Sequence, residues 1–229
     1  MGIRRGPNIV RDGLVLALDA ANPTSYPGSG VIWKDQTINQ NNATLTNGPT
    51  FDSANGGSVV FDKVNDYIEG PACNSFGFGT DITIECWFKT TDYFGTNSSI
   101  NAGRIINLHA VSPGTNINIQ VGSDGLGFYH RGNVAFYVDN TSINTGEWIH
   151  GVVVVDGINS KLYRNNSVVI NVNGNTIDSF SSYPLIIGSY DGSSRFFGGN
   201  LALAKIYNRA LTAVEITQNY NALKSRFGL

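Results

Sequence analysis

The chain is 229 residues long, 41% hydrophobic and only 14% charged, with a formal net charge of −2 at pH 7. That balance excludes intrinsic disorder, which goes with low hydrophobicity and high charge, and it excludes the basic surface that a nucleic-acid partner requires. Glycine and asparagine each occur 27 times, and both accept tight turns and left-handed backbone, so the chain reads as many short elements and not as a helical bundle.

Residues 1–12 carry Arg4, Arg5 and Arg11 with little apolar pattern, and are predicted to form an arm that orders against a partner. Leu14–Leu18 is too short to be the core of a signal peptide, and no run approaches the ~20 apolar residues of a membrane span. Ile82–Lys89 alternates with period two, which predicts a strand with Ile82, Ile84, Cys86 and Phe88 inward and Glu85 toward solvent. Cys73 and Cys86 are too few for a disulfide framework or a zinc site. Cys86 reads as a core thiol, with a Cys73–Cys86 bridge as the alternative, and such sparse cysteine points to a reducing compartment.

Asn116–Val121, Val134–Val138 and Trp148–Val155 are the next predicted strands, the last stopped by Asp156-Gly157. Lys161–Arg164, Asn165-Asn166 and Ser167–Ile170 read as a hairpin. Leu185–Gly188 and Leu201–Tyr207 follow. Asn42, Asn97, Asn140 and Asn165 match N-x-S/T and read as turn residues. Thr212 to Glu215 forms a capping box, and opens a helix predicted over about 213–225. Ala213, Ile216, Tyr220 and Leu223 make its apolar face, Lys224 and Arg226 suit its C-terminal end, and Gly228 is placed to stop it. The helix is expected on the rim. Strands without intervening helices predict an antiparallel all-β sandwich or barrel, in one domain over 13–229.

Several stretches together resemble laminin-G-like, concanavalin A-like domains: Phe61–Glu69, Ile82–Phe88, Gly146–Gly157 with Leu162–Asn165, and Phe197–Leu211. Gly13–Pro23, Ser25–Gly30, Trp33–Asp35 and Glu215–Gly228 are similar to the ends of laminin-G-like proteins of tailed-bacteriophage particles. The resemblance implies a jelly-roll sandwich with one short C-terminal helix. It also implies a virion structural protein (capsid decoration, fibre or tail-associated) made in the host cytoplasm, many copies of which adhere to neighbouring subunits or to the host surface. Some relatives bind glycans, often with calcium, so a calcium-assisted carbohydrate-binding module is the alternative, and a glycoside hydrolase the second. Fold alone does not transfer function.

Glycosidases commonly use two carboxylates about 5–9.5 Å apart. The glutamates are Glu69, Glu85, Glu147 and Glu215, with no E-x-D-x-E run to place a pair on one strand face. His109, His130 and His150 are scattered, with His150 expected in a packing or hydrogen-bonding role, and no G-x-S-x-G elbow occurs. The chain is therefore expected not to be an enzyme. Gly77-Phe78-Gly79 and Gly125-Leu126-Gly127 read as turns. In many laminin-G-like domains the last strand carries an acidic residue where this chain has Ala202. Asp62 and Asp66, near Asn65, are candidate calcium ligands without EF-hand spacing, or else turn formers. Ser123–Arg131 and Ser189–Arg195 are predicted loops that mix aromatic and polar residues as sugar sites do, which makes Tyr129, His130, Tyr190, Asp191 and Arg195 the candidate ligand-binding residues.

Overall fold

A computed structural model describes residues 8–92, 94–96, 102–109, 116–129, 136–173 and 179–229. In chain order its strands are β1 (Leu14–Asp19), β2 (Ile32–Trp33), β3 (Ala43–Thr46), β4 (Thr50–Asp52), β5 (Ser58–Asp62), β6 (Tyr67–Ala72), β7 (Ile82–Lys89) and β8 (Gly103–His109). They continue with β9 (Asn116–Gly122), β10 (Gly125–Tyr129), β11 (Phe136–Val138), β12 (Ile149–Asp156), β13 (Asn159–Arg164), β14 (Ser167–Asn173), β15 (Pro184–Ile187) and β16 (Gly198–Tyr207). One α-helix, α1 (Ala213–Leu223), follows. The first sheet runs β14-β13-β12-β7-β16-β5-β4, with β1 also on β16, and the second runs β11-β10-β9-β8-β15-β6-β3-β2. All pairings are antiparallel. The predicted all-β sandwich with a C-terminal helix is the observed architecture.

The two inner faces close on one core. Ile82, Ile84, Cys86 and Phe88 enter it from β7, as their alternation requires, and meet Ile117, Ile119, Val121 and Phe128 from the second sheet. Phe197 sits at one end against Phe61, Phe88 and Phe94, with ring centroids 5.8 to 6.2 Å apart. Cys73 and Cys86 are both buried free thiols, not a bridge. The hairpin of β13 and β14 turns on Asn165 (φ 49) and Asn166 (φ 68), the left-handed pair that a two-residue connection between twisted strands selects.

Two expectations fail on the first sheet's outer face. Glu85 is not exposed: it is 1% accessible. The helix does not lie on the rim but against this face, since the side chain of Asn219 on α1 bonds Glu85 and Tyr207 across it. Of the predicted apolar face, Ile216, Tyr220 and Leu223 do turn toward the sheet, whereas Ala213 does not. Ile216 and Asn219 are its buried residues while Ala213 is exposed. Trp87 stacks on Phe227 (4.3 Å), His150 (4.9 Å) and Tyr220 (5.7 Å) beneath it.

The capping box forms as predicted, with Glu215 N–H donating to Thr212 Oγ1 and Thr212 N–H to Glu215 Oε2. Arg209 adds a two-pronged contact to the same carboxylate, 2.6 and 3.0 Å long. That guanidinium pulls Glu215 down to about 2. α1 ends at Leu223, short of Lys224 and Arg226, which lie in a 3-10 turn closed by left-handed Gly228. Arg226 instead bonds Asp19 and the carbonyls of Asn55 and Gly57, tying the tail to β1 and to the segment before β5.

Of the residues assigned to the N-terminal arm, 8–12 are described. Val10 is buried, exchanges bonds with Asn219 and Tyr207, and joins the cluster of Val152, Val154 and Ile216. No described helix is long and apolar enough to cross a membrane.

Candidate functional site

The second sheet buries alternate residues of β9 in the core: Ile117, Ile119 and Val121. The period of two then puts Asn116, Asn118 and Gln120 on the sheet's outer face. Their neighbours across the ladder match them. Arg104 pairs with Gln120, Asn107 with Asn118 and His109 with Asn116 on one side, and Tyr129 pairs with Asn118 on the other. A register shift between Arg104 and Ile106 keeps Arg104 and Asn107 on this face while Ile105 and Ile106 both reach the core. The row continues from Asn107 to Ile186, Glu69 and Thr44.

This face is polar and yet closed off. Arg104, Asn107, Asn118 and Gln120 are each at most 1% accessible. The segment after β15 lies over Asn107 and His109. Tyr190 C=O accepts from Asn107 Nδ2 at 2.8 Å and lies 3.0 Å from His109 Nε2. Tyr190 N–H donates to Ser194 C=O, closing the loop on itself. Arg195 stacks its guanidinium on the Tyr190 ring at 5.3 Å, and His109 meets that ring edge-on at 5.7 Å. Burial, with Arg195 nearby, draws the Arg104 guanidinium below the usual arginine value, and Tyr190 and Tyr129 act in the opposite sense. Burial likewise lowers His109, which the Tyr190 carbonyl partly offsets. Asn107 Oδ1 is buried and has no hydrogen-bond partner among the described residues.

Of the residues singled out from sequence, Tyr190 and Arg195 are in contact, and Tyr129 stands on the same sheet face across Asn118. Asp191 is in the loop, but its Oδ1 accepts from Ser193 N–H and from both serine hydroxyls, 193 and 194. These bonds outweigh burial and hold the carboxyl below its ordinary value. His130 lies outside the described residues. The reading of Ser123–Arg131 as a loop, and of Gly125-Leu126-Gly127 as a turn, is corrected: Gly125–Tyr129 is strand β10, paired on both sides. Arg104, Asn107, Asn118 and Gln120 were missed. For Asn118 and Gln120 the signal was the alternation of β9, where every polar position carries an amide; for Arg104 and Asn107 the register shift in β8 breaks the alternation that would have shown them.

Asp62 and Asp66 bracket the turn between β5 and β6. Asp62 Oδ1 accepts from the backbone N–H groups of Val64, Asn65 and Asp66, and Asp66 Oδ2 accepts from Asp62 N–H. Burial pushes Asp62 up slightly, and the backbone donors more than reverse it. Calcium needs six to eight oxygens, whereas these two carboxylates serve the turn, and no group of three His, Cys, Asp or Glu able to hold a metal occurs among the described residues. The pair does not by itself fit a calcium site. Ala202, at the family's acidic position, is buried against Trp87 and Phe227.

The fold has solved counterparts. The binding domain of Paraclostridial Mosquitocidal Protein 1 is 16% identical with a TM-score of 0.69, over 92% of this chain and 52% of that one. Domain 4 of AbnA, an extracellular arabinanase from Geobacillus stearothermophilus, solved with arabinotriose, is 19% identical with a TM-score of 0.68, over 92% of this chain and all of that one. Trypanosoma rangeli sialidase is 13% identical with a TM-score of 0.68, over 95% of this chain but 34% of that one. The chain thus spans about half of the mosquitocidal structure and a third of the sialidase. No curated protein matches by sequence. A laminin-G family model matches residues 62–217, well over half of the chain. The chain belongs to the Concanavalin A-like lectin/glucanases superfamily.

Proposed function

We propose that the chain is a non-enzymatic carbohydrate-binding domain whose ligand sits on the outer face of the second sheet, between Tyr129 and the Tyr190–Arg195 loop. The observation that carries this reading is the half-exposed set of Tyr129, Tyr190 and Arg195, the last two stacked, standing over a row of buried carboxamides on that face. Carboxamides donate and accept at once, as sugar hydroxyls do, and a tyrosine offers an apolar ring face with a polar tip. A buried amide oxygen without a partner among the described residues, as at Asn107, favours a polar ligand, because leaving such a group unmet costs about 1–3 kcal/mol. Arabinotriose in the AbnA domain supports the same class of ligand. Against hydrolysis stands the carboxylate inventory: on the described strands of this sheet Glu69 is the only acidic residue, and the two-carboxylate mechanism needs a facing pair.

The test is calorimetric titration against a panel of neutral and acidic oligosaccharides, with and without calcium, for the native chain and for Tyr190→Ala. Saturable binding that Tyr190→Ala weakens at least tenfold is expected. Silence across the panel would remove the reading, and turnover of any glycan would remove its non-enzymatic part.

A finer reading rests on the two chain ends: a component of a tailed-phage particle, whose sandwich adheres to neighbouring subunits or to the host surface. The likeness of Gly13–Asp35 and Glu215–Gly228 to particle proteins supports it. Mass spectrometry of purified particles would measure copies per virion. Hundreds would indicate the capsid, a dozen or fewer the tail, and none would refute it.

A further inference from the structure

The sheet edges of this fold are not treated alike. β2 and β11, which end the second sheet, have two and three residues, and β4, at one end of the first, has three. β1 is longer, but its outer backbone is capped. Val15 C=O accepts from the side chains of Asn39 and Asn41, and Ala17 N–H donates to Asp35. Short or covered edges are the ordinary protection against pairing with another chain. β14 ends the first sheet at its other side with seven residues, Ser167–Asn173. It pairs with β13. Among the described residues no other hydrogen bond reaches it.

Nothing in the β14 sequence blocks pairing. From Asn165 to Asn173 there is no charge and no proline, the two usual edge guards. A register shift opposite Leu162 and Tyr163 leaves Val169 bulged out of the ladder, so the regular part is Ile170–Asn173, with Val169 at its start. Within it Ile170 and Val172 pack against the core but stay half-buried, while Val169, Asn171 and Asn173 are exposed.

We propose that β14 pairs antiparallel with β14 of a second copy of this chain, across a two-fold axis at Asn171. That register sets Ile170 opposite Val172 of the other copy, and Val172 opposite its Ile170. Both pairs are β-branched, of the kind that stabilises antiparallel strands, and both extend the core across the junction. Asn171 meets its own counterpart on the outer face, and Val169 meets Asn173. A two-fold contact requires such self-complementarity, and a neutral strand brings no like charges together. The sequence Ile-Asn-Val supplies the alternating apolar partner that a foreign strand would have to provide. The regular paired stretch is only a few residues, short of what a standard interface of at least ~1,000 Å² needs, so the dimer is weak and concentration-dependent.

Sedimentation equilibrium of the full chain over a hundredfold concentration range, reaching several hundred micromolar, tests this. The expected result is a reversible monomer–dimer equilibrium. Asn171→Lys, at an exposed position, should abolish it by placing two ammonium groups opposite each other. Asn171→Glu alone should do the same, and a mixture of the two variants should restore the dimer. A native chain that stays monomeric throughout would overturn the proposal and leave the edge to a foreign strand, if to any. So would a dimer that Asn171→Lys leaves intact, which would place the contact on another face.

Discussion

Glu85 Oε1 lies 3.0 Å from Lys205 Nζ on the outward face of the first sheet, and both residues are buried beneath helix α1. The two are cross-strand partners on β7 and β16. His150 on β12 brings Nε2 within 3.1 Å of the same oxygen, and Asn219 of α1 donates to Oε2 at 2.6 Å. One carboxylate thus joins three strands' worth of outer face to the helix that covers it. Through Asn219 and Tyr207 the same network reaches Val10 and fixes the N-terminal segment.

Replacing Glu85 by Gln should destabilise the fold by about 3–5 kcal/mol, because it strands a buried ammonium without a counter-charge. Replacing both partners by apolar residues, as in E85L/K205M, should recover most of that loss. The pH dependence has a definite sign. Burial raises the Glu85 carboxyl, but Lys205 and the His150 bond overcome that and hold it at about 2. A carboxyl lowered by folding stabilises the protein above its unfolded value, near 4.3 for glutamate, and loses that contribution as pH falls. The urea midpoint of the native chain should therefore drop as pH falls from about 5 toward 2. E85Q should show a shallower drop over the same interval. An unchanged slope in E85Q would assign the acid sensitivity to other carboxylates, Glu215 foremost.

Periodicity in the sequence tells which face a side chain takes, and it did so for Ile82, Ile84, Cys86 and Phe88. It does not tell what lies on that face. Glu85 alternates outward as expected, yet α1 arrives from 134 residues away in sequence to cover it. The same limit hid the site. Asn118 and Gln120 alternate with Ile117 and Ile119 in plain view, but the Tyr190 loop that closes over Asn107 comes from 83 residues away. β10 was misread for a local reason. Gly125 and Gly127 weaken a strand pattern, whereas here Gly125 (φ 129) leaves room for the Asp139 carboxylate, which a Cβ would overlap. The hairpin turn at Asn165-Asn166 and the Thr212 cap were legible because their chemistry is contained within a few residues.

The two thiols should be inert while the protein is folded. Burial raises Cys73 to about 12 and pushes Cys86 up further, with the Glu85 charge adding to the latter. The thiolate is the reactive form, so at neutral pH neither is available to a thiol reagent. Ellman's reagent should label no cysteine in the native chain and two in urea. Rapid labelling of one equivalent under native conditions would mean that the segment Cys73–Phe76, or the Ser181 and Tyr183 backbone that bonds to it, opens readily.

Gly188 joins the core to the candidate site, and its replacement should damage both. It follows β15 at φ 86, donates its N–H to Ile105 C=O, and accepts from Phe197 N–H, so it sets the start of the loop carrying Tyr190 and Arg195. A Cβ there would overlap the Phe61 ring, which is 2% accessible and packs edge-on against Phe197. Gly188→Ala meets two costs: about 1–2 kcal/mol for left-handed backbone, and about 1–3 kcal/mol for forcing an extra methyl into a packed core. Gly157→Ala separates them. Gly157 is also left-handed, at φ 59, but nothing lies within 4 Å of its added Cβ, so it should show only the backbone cost. Thermal melts of the two variants should therefore differ, with Gly188→Ala lower by the overpacking term. Only Gly188→Ala should also weaken oligosaccharide binding, since relieving the clash moves the Tyr190 loop off Asn107. Equal melting temperatures would show that Phe61 yields without strain, and full binding in a destabilised Gly188→Ala would separate the loop's position from the ligand's.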